Sequence, residues 1–220
     1  MGNWQAEQKL VLEAARKMAE KGLVTGKTGN VSLRLPPEKG RELLAITPTQ
    51  RPYDLLKVED IPVVDFKANV VEGKFPPSVE TKLHIGIYKA RKNINAVLHT
   101  HSVYATTIAV AGLEIPPIVE DQVDFIGGEI KLAKYAISGS DELVTSVIAA
   151  LGDRNAALLP NHGAIGIGRT MQEAMTVCEF LEKTARIYLG ALALGKVNTL
   201  PDEAVKIYKA FFDRMQAGKD

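Results

Sequence analysis

Residues 156 to 167 read Ala156-Ala157-Leu158-Leu159-Pro160-Asn161-His162-Gly163-Ala164-Ile165-Gly166-Ile167. A strongly apolar run, a Pro-Asn-His-Gly break and a resumed apolar run give a strand, a turn and a second strand. Downstream, Thr170 with Glu173 forms a capping box for the longest helix, running towards Ala193, and a last helix covers about residues 201 to 215. Upstream lie a helix over residues 141 to 151, a small-residue helix over about 104 to 111 and a strand over 95 to 99.

Nearer the amino terminus, Ser78 can cap a helix reaching about Ala90, with Glu80 in its first turn. Residues 63 to 66 and 69 to 71 read as a hairpin. So do 31 to 35 and 43 to 46, joined by a turn at Pro36, Pro37 and Gly40. Apolar residues at helical spacing make residues 5 to 21 an amphipathic opening helix that Gly22 stops. Strands and helices alternate irregularly, which predicts a largely antiparallel or mixed sheet covered by helices. No repeat or linker divides the chain, so one domain over residues 1–220 is expected.

The composition narrows the function. Lys plus Arg number 27 against 26 Asp plus Glu, a net charge of +1, which gives no reason to expect nucleic acid or an anionic membrane as partner. A local positive charge for a small phosphorylated substrate is compatible with that balance. The single cysteine, Cys178, excludes an intramolecular disulfide and reads as a buried helix residue, which fits a reducing, cytoplasmic compartment. The opening MGNWQAEQKL lacks the order of a signal peptide, and no run reaches the roughly 20 apolar residues of a membrane span.

Gly26-Lys27-Thr28 invites a nucleotide-binding reading, but Gly22 stands one residue too close, a helix precedes the loop and a strand follows. A humbler anion role fits better, with loop amides approaching the anion and Asn30 and Ser32 adding hydrogen bonds.

The chain has four histidines: His84, His99, His101 and His162. Residues two apart on a strand share a face, so His99 and His101 can reach one metal ion. His162, in the turn at the end of the strand 156 to 159, can aim at the same centre. Three neutral imidazoles suit Zn2+ and leave a position for a substrate oxygen; Mn2+, Co2+ and Fe2+ are compatible with such ligands. Glu80 is the carboxylate candidate. It shares a helical face with His84, which is read as structural, as orienting the glutamate, or as a further ligand.

Five motifs taken in order carry a resemblance: Thr28-Gly29-Asn30-Val31-Ser32, Ile46-Thr47-Pro48-Thr49, Pro77-Ser78-Val79-Glu80, His99-Thr100-His101-Ser102 and Asn161-His162-Gly163. With them the chain resembles the class II aldolase and adducin superfamily, and within it the zinc-dependent fuculose-1-phosphate aldolases. The resemblance implies a three-layer α/β/α sandwich with a central, mainly antiparallel sheet, and a homotetramer with active sites between subunits. It implies metal ligation by His99, His101 and His162, with Glu80 as acid/base group and resting-state ligand. Substrate phosphate would be held at Gly29, Asn30, Thr49, Gln50, Ser78 and Val79, where Gln50 replaces a frequent glycine and Val79 a second serine. The implied reaction joins dihydroxyacetone phosphate to an aldehyde, or reverses that step.

Two family tyrosines lack counterparts. Glu120, Asp121, Gln122 and Asp124 stand before the Gly127-Gly128 pair where one is expected, and Met215 aligns with the other, with Tyr208 nearby. Glu120 or Asp121 can serve as acid/base or substrate-end contacts if burial or neighbouring charge raises their pKa; a solvated loop is the other reading. Methylthioribulose-1-phosphate dehydratase and ribulose-5-phosphate 4-epimerase are rival activities, the second disfavoured by glutamate at position 80 where aspartate is typical. A non-catalytic adducin-like scaffold is disfavoured by the full ligand set.

Overall fold

The computed structural model describes residues 4–218. The reading of the amino terminus, so far as it rests on Met1 to Asn3, lies outside them. Helix α1 (Gln5–Glu20) precedes the antiparallel strands β1 (Asn30–Glu38), β2 (Arg41–Ile46), β3 (Val63–Asp65) and β4 (Val70–Glu72). Helix α2 (Thr81–Ala90) leads into β5 (Ala96–Thr100), followed by α3 (Val103–Val110), α4 (Glu120–Ile126) and the short β6 (Lys131–Leu132). Helix α5 (Asp141–Leu151), the β7 (Ala156–Leu159) and β8 (Gly163–Gly168) pair, α6 (Met171–Ala193) and α7 (Asp202–Gln216) complete the order.

All eight strands join one sheet in the order β4-β3-β2-β1-β5-β8-β7-β6, antiparallel throughout except for β6 against β7. Side-chain alternation sorts the core into layers. Val31, Leu33, Ala96 and Leu98 face α1 and α6, and Ala156, Leu158 and Ala164 continue that face under α3 and α6. Leu44, Ile46, Val97, Leu159 and Ile165 face the other way, against α2 and α5. This is the expected α/β/α sandwich. With both faces covered, every residue of β5 is buried, which explains the apolar start Ala96-Val97-Leu98 with no polar residue alternating in it.

Several local expectations change. Strand β1 continues through Pro36-Pro37 to Glu38 by way of an irregularity after Leu35, and the chain reverses at Lys39-Gly40, both at positive φ. Glu80 sits at the cap position before α2 rather than inside the first turn. The acidic segment at residues 120 to 126 is a helix, not a loop. Thr170 Oγ1 accepts from Glu173 N at 3.1 Å, but the Glu173 carboxylate returns to Arg169 N at 2.7 Å, one residue short of a reciprocal box. Cys178 is buried under Gly166, and burial pushes its thiol pKa up, so it is an inert core group. No helix among the described residues is long and apolar enough to cross a membrane.

Candidate active site

The sheet register builds one side of the site. Asn30 of β1 pairs with His99 of β5, and His99 pairs with Ile165 of β8. Partners in an antiparallel ladder point to the same face, here the face covered by α2, whose cap residue is Glu80. His101 lies just past β5, where its amide donates to Leu23 O at 3.0 Å. The chain is then turned into α3 by the Glu182 carboxylate, which accepts from Tyr104 N and Ala105 N at 2.9 Å each. His162 stands in the β7–β8 turn beside Asn161, which adopts the left-handed φ of 56° that asparagine tolerates. A side chain at Gly163 would collide with Thr100 O, so glycine lets this turn press against the end of β5.

The three imidazoles converge. His99 Nε2 lies 2.9 Å from His101 Nε2 and 3.2 Å from His162 Nε2, and a ligand set drawn from all three falls within 4.8 Å. Three ring nitrogens at such separations cannot all satisfy one another by hydrogen bonds. A tetrahedral ion with bonds of about 2.0–2.1 Å holds its ligand atoms roughly 3.3 Å apart, close to this spacing. His99 Nδ1 lies 3.0 Å from Ala164 O, and a carbonyl only accepts, so this nitrogen carries the proton and Nε2 offers its lone pair to the centre. Burial, then the neighbouring His99 and His162, push His101 down to about 4. Burial also lowers His162, despite the opposing pull of Glu80. Both imidazoles are therefore neutral and free to ligate at pH 7.

Glu80 Oε2 accepts from Asn30 Nδ2 at 2.8 Å and lies 3.2 Å from His99 Nε2. Burial opposes its ionisation, but His99 and the Asn30 amide outweigh it and hold the carboxyl below the usual range. Its other oxygen, Oε1, is buried without a hydrogen bond, 3.6 Å from His162 Nε2. An anionic oxygen lacking a donor beside three converging imidazoles is a donor set that fits a divalent cation.

Loops build the opposite side. Pro48 and Pro77 form an isolated bridge, Thr49 N donates to Pro76 O at 3.0 Å, and Ser78 N donates to Thr47 O at 3.1 Å. This zip sets Thr49 and Gln50 beside Ser78 and Val79. Tyr53 Oη donates to Gly29 O at 2.7 Å and Thr28 O at 3.1 Å, fixing the glycine loop against the same wall. The amides of Gly29, Gln50 and Val79 have no acceptor among the described residues. Between the two sides lies a cavity of about 200 Å³, lined by Gly29, Thr49, Ser78 and Val79 on the loop side and by Asn30, Glu80, His101 and His162 on the other. A larger cleft of about 800 Å³ runs along β6 and α5, but no histidine lines it.

This geometry coincides with a family match. The model of the class II aldolase and adducin N-terminal domain matches residues 9–189. The chain belongs to the class II aldolase and adducin family. Among curated relatives, it is 36% identical over 208 residues to the 5-deoxy-D-ribulose 1-phosphate aldolase of Bacillus thuringiensis serovar kurstaki, covering 94% of this chain and 96% of that one. It is 33% identical over 198 residues to the L-fuculose phosphate aldolase of Escherichia coli K12, covering 90% and 89%. A solved L-fuculose 1-phosphate aldolase superposes with a TM-score of 0.88 at 31% identity, covering 94% of this chain and 96% of that one.

Not every expected class II aldolase residue meets the cavity. Glu120 and Asp121 stand on α4, outside the lining: Asp121 pairs with Lys183 at 2.6 Å, and Glu120 hydrogen-bonds Tyr208, raising the phenol's pKa. His84 does not join the three-histidine group. Its Nδ1 is 2.6 Å from Ser32 Oγ, which is 2.7 Å from the Tyr88 hydroxyl, and burial pushes its pKa down to about 3. Ser32 is therefore committed to this buried network and is unavailable to an anion, contrary to expectation. Tyr53, Lys27 and Ser138 were not assigned to the site from sequence, although Lys27 and Ser138 line the cavity. For Lys27 the signal was the glycine loop itself; Tyr53 and Ser138 carried none.

Proposed function

We propose that the protein is a metal-dependent aldehyde-lyase that cleaves a phosphorylated ketose into dihydroxyacetone phosphate and an aldehyde, and forms it in reverse. The observation that carries this reading is the convergence of His99, His101, His162 and Glu80 on a cavity whose far wall presents unpaired amides. His99, His101 and His162 would hold the ion, Zn2+ being our assignment, and the ion supplies Lewis-acid stabilisation of negative charge on substrate oxygens. Glu80, ionised and braced by Asn30, moves the proton on the carbon of the three-carbon fragment. The amides of Gly29, Gln50 and Val79, with the Thr49 and Ser78 hydroxyls, hold the phosphate and so orient that carbon towards the carboxylate.

The relatives support the substrate class. The substrates they are named for, 5-deoxy-D-ribulose 1-phosphate and L-fuculose phosphate, are both phosphorylated ketoses. We take the chain as one domain acting in a cytoplasmic homotetramer. Exposed apolar side chains such as Ile137, Leu194 and Phe211 favour assembly. The test is incubation of zinc-loaded protein with L-fuculose 1-phosphate and 5-deoxy-D-ribulose 1-phosphate, with dihydroxyacetone phosphate and aldehyde measured as products. Dehydrated product without a second carbon fragment would replace this reading with the dehydratase, and an epimerised ketose with the epimerase.

A further inference from the structure

The loop side of the cavity contains dipoles and one charge. A phosphate monoester carries about −1.5 to −2 charge near neutral pH. Among the cavity-lining residues the carboxylate of Glu80 adds a further negative charge, and Lys27 is the single Lys or Arg. Lys27 has no carboxylate partner in the ion pairs of the described residues. Its backbone is nonetheless fixed. Thr28 N and Thr28 Oγ1 both donate to Thr25 O, at 3.2 and 2.9 Å, while Tyr53 holds the carbonyls of Thr28 and Gly29. A cation on a clamped turn beside three unpaired amides meets the charge requirement that the amides alone leave open.

A second residue answers the apolar side chain at position 79. The segment between β6 and α5 passes over the Val79 turn: a Cβ built at Gly139 would lie 3.3 Å from Val79 O. The preceding residue, Ser138, lines the same cavity, and its hydroxyl has no partner among the described residues. It comes from a part of the chain almost sixty residues from Val79, yet the fold sets a hydroxyl donor beside that turn.

Resting on the phosphorylated-ketose reading above, we infer that Lys27 and Ser138 complete the anion-binding wall, Lys27 supplying its positive charge and Ser138 the hydroxyl that Val79 lacks. The chain would thereby favour a substrate carrying a phosphate dianion over the unphosphorylated ketose. Both are binding residues and neither touches the bond that breaks.

The test is calorimetric titration of the zinc-loaded full-length protein with inorganic phosphate at pH 7.5, with zinc content measured for every variant. Lys27→Met is expected to weaken phosphate about tenfold and to flatten the salt dependence, while Lys27→Arg stays within about twofold of the parent. Ser138→Ala is expected to weaken it about threefold, with recovery in Ser138→Thr. In cleavage assays the same losses should appear in KM, with kcat within about twofold of the parent. An affinity unmoved by Lys27→Met and Ser138→Ala, or no phosphate binding by the parent, overturns the inference even where cleavage is observed. Lys27-dependent phosphate binding without cleavage of any phosphorylated ketose upholds it and instead overturns the aldolase reading.

Discussion

The two walls of the cavity are built in opposite ways. On the histidine wall, polar groups are braced from behind: His99 by Ala164 O, Glu80 by Asn30, and His84 by Ser32 and Tyr88. Glu80 Oε1, beside the imidazoles, is left without a hydrogen bond. On the loop wall the bracing runs through the backbone, with the zip between residues 47 to 49 and 76 to 78 and the Tyr53 clamp, while the amides of the cavity-lining Gly29, Gln50 and Val79 have no acceptor among the described residues. The difference suits the two tasks proposed for the walls. A metal and a proton carrier need atoms fixed within fractions of an ångström, which buried strand ends and a helix cap provide. A phosphate needs several unspent donors, which a strand interior, with its amides used in the ladder, cannot supply.

The largest test of this division is Glu80→Gln. The amide keeps the shape but not the proton-carrying oxygen, so exchange of the α-proton of dihydroxyacetone phosphate should fall by about a thousandfold. Zinc content and phosphate affinity should hold; undiminished exchange would remove Glu80 from its role. Gly29→Ala probes the contact between the walls. At φ 69° its new Cβ would lie 2.6 Å from His99 O, so a loss of about 2–3 kcal/mol in urea unfolding is expected, with zinc and phosphate affinity weakened together.

The histidine wall should also reveal itself through acid. Burial holds His84 at about 3 in the folded protein, against 6.5 ordinarily. Between those values the unfolded chain binds the extra proton, so this contribution to stability is complete above pH 6.5 and is lost as pH falls towards 3. In metal-free protein the slope of urea midpoint against pH between about 6.5 and 4 should be shallower in His84→Gln than in the parent. The smallest effect is expected on the loop wall. Tyr53→Phe removes the clamp on the Thr28 and Gly29 carbonyls and should raise KM about threefold to tenfold, leaving zinc content and kcat close to the parent. A fall in kcat of the same size would show that the walls are coupled.

Much of the scaffold was legible because its signals are local. Helices α5 and α6 announce themselves by apolar spacing and side-chain caps, α7 by its apolar spacing, and the β7–β8 pair by the Pro-Asn-His-Gly break. The short α4 was not legible, since seven residues with three carboxylates satisfy helix and solvated loop equally well; its packing against α6 and α7 decides the matter. Nor was the commitment of Ser32 to His84, because that depends on which face of β1 lies under α2.

By itself the sequence determined which chemistry was available: three histidines and a glutamate, alternating strands to carry them, and glycines where close approach is needed. Local periodicity and residue chemistry suffice for that. Only the tertiary structure decided which groups meet. It left Glu120 and Asp121 outside the cavity, set His84 behind the centre, and brought Lys27, Tyr53 and Ser138 to the loop wall. Those choices follow from the order β1-β5-β8 and the packing of α2 across it, non-local pairings that no window along the chain contains.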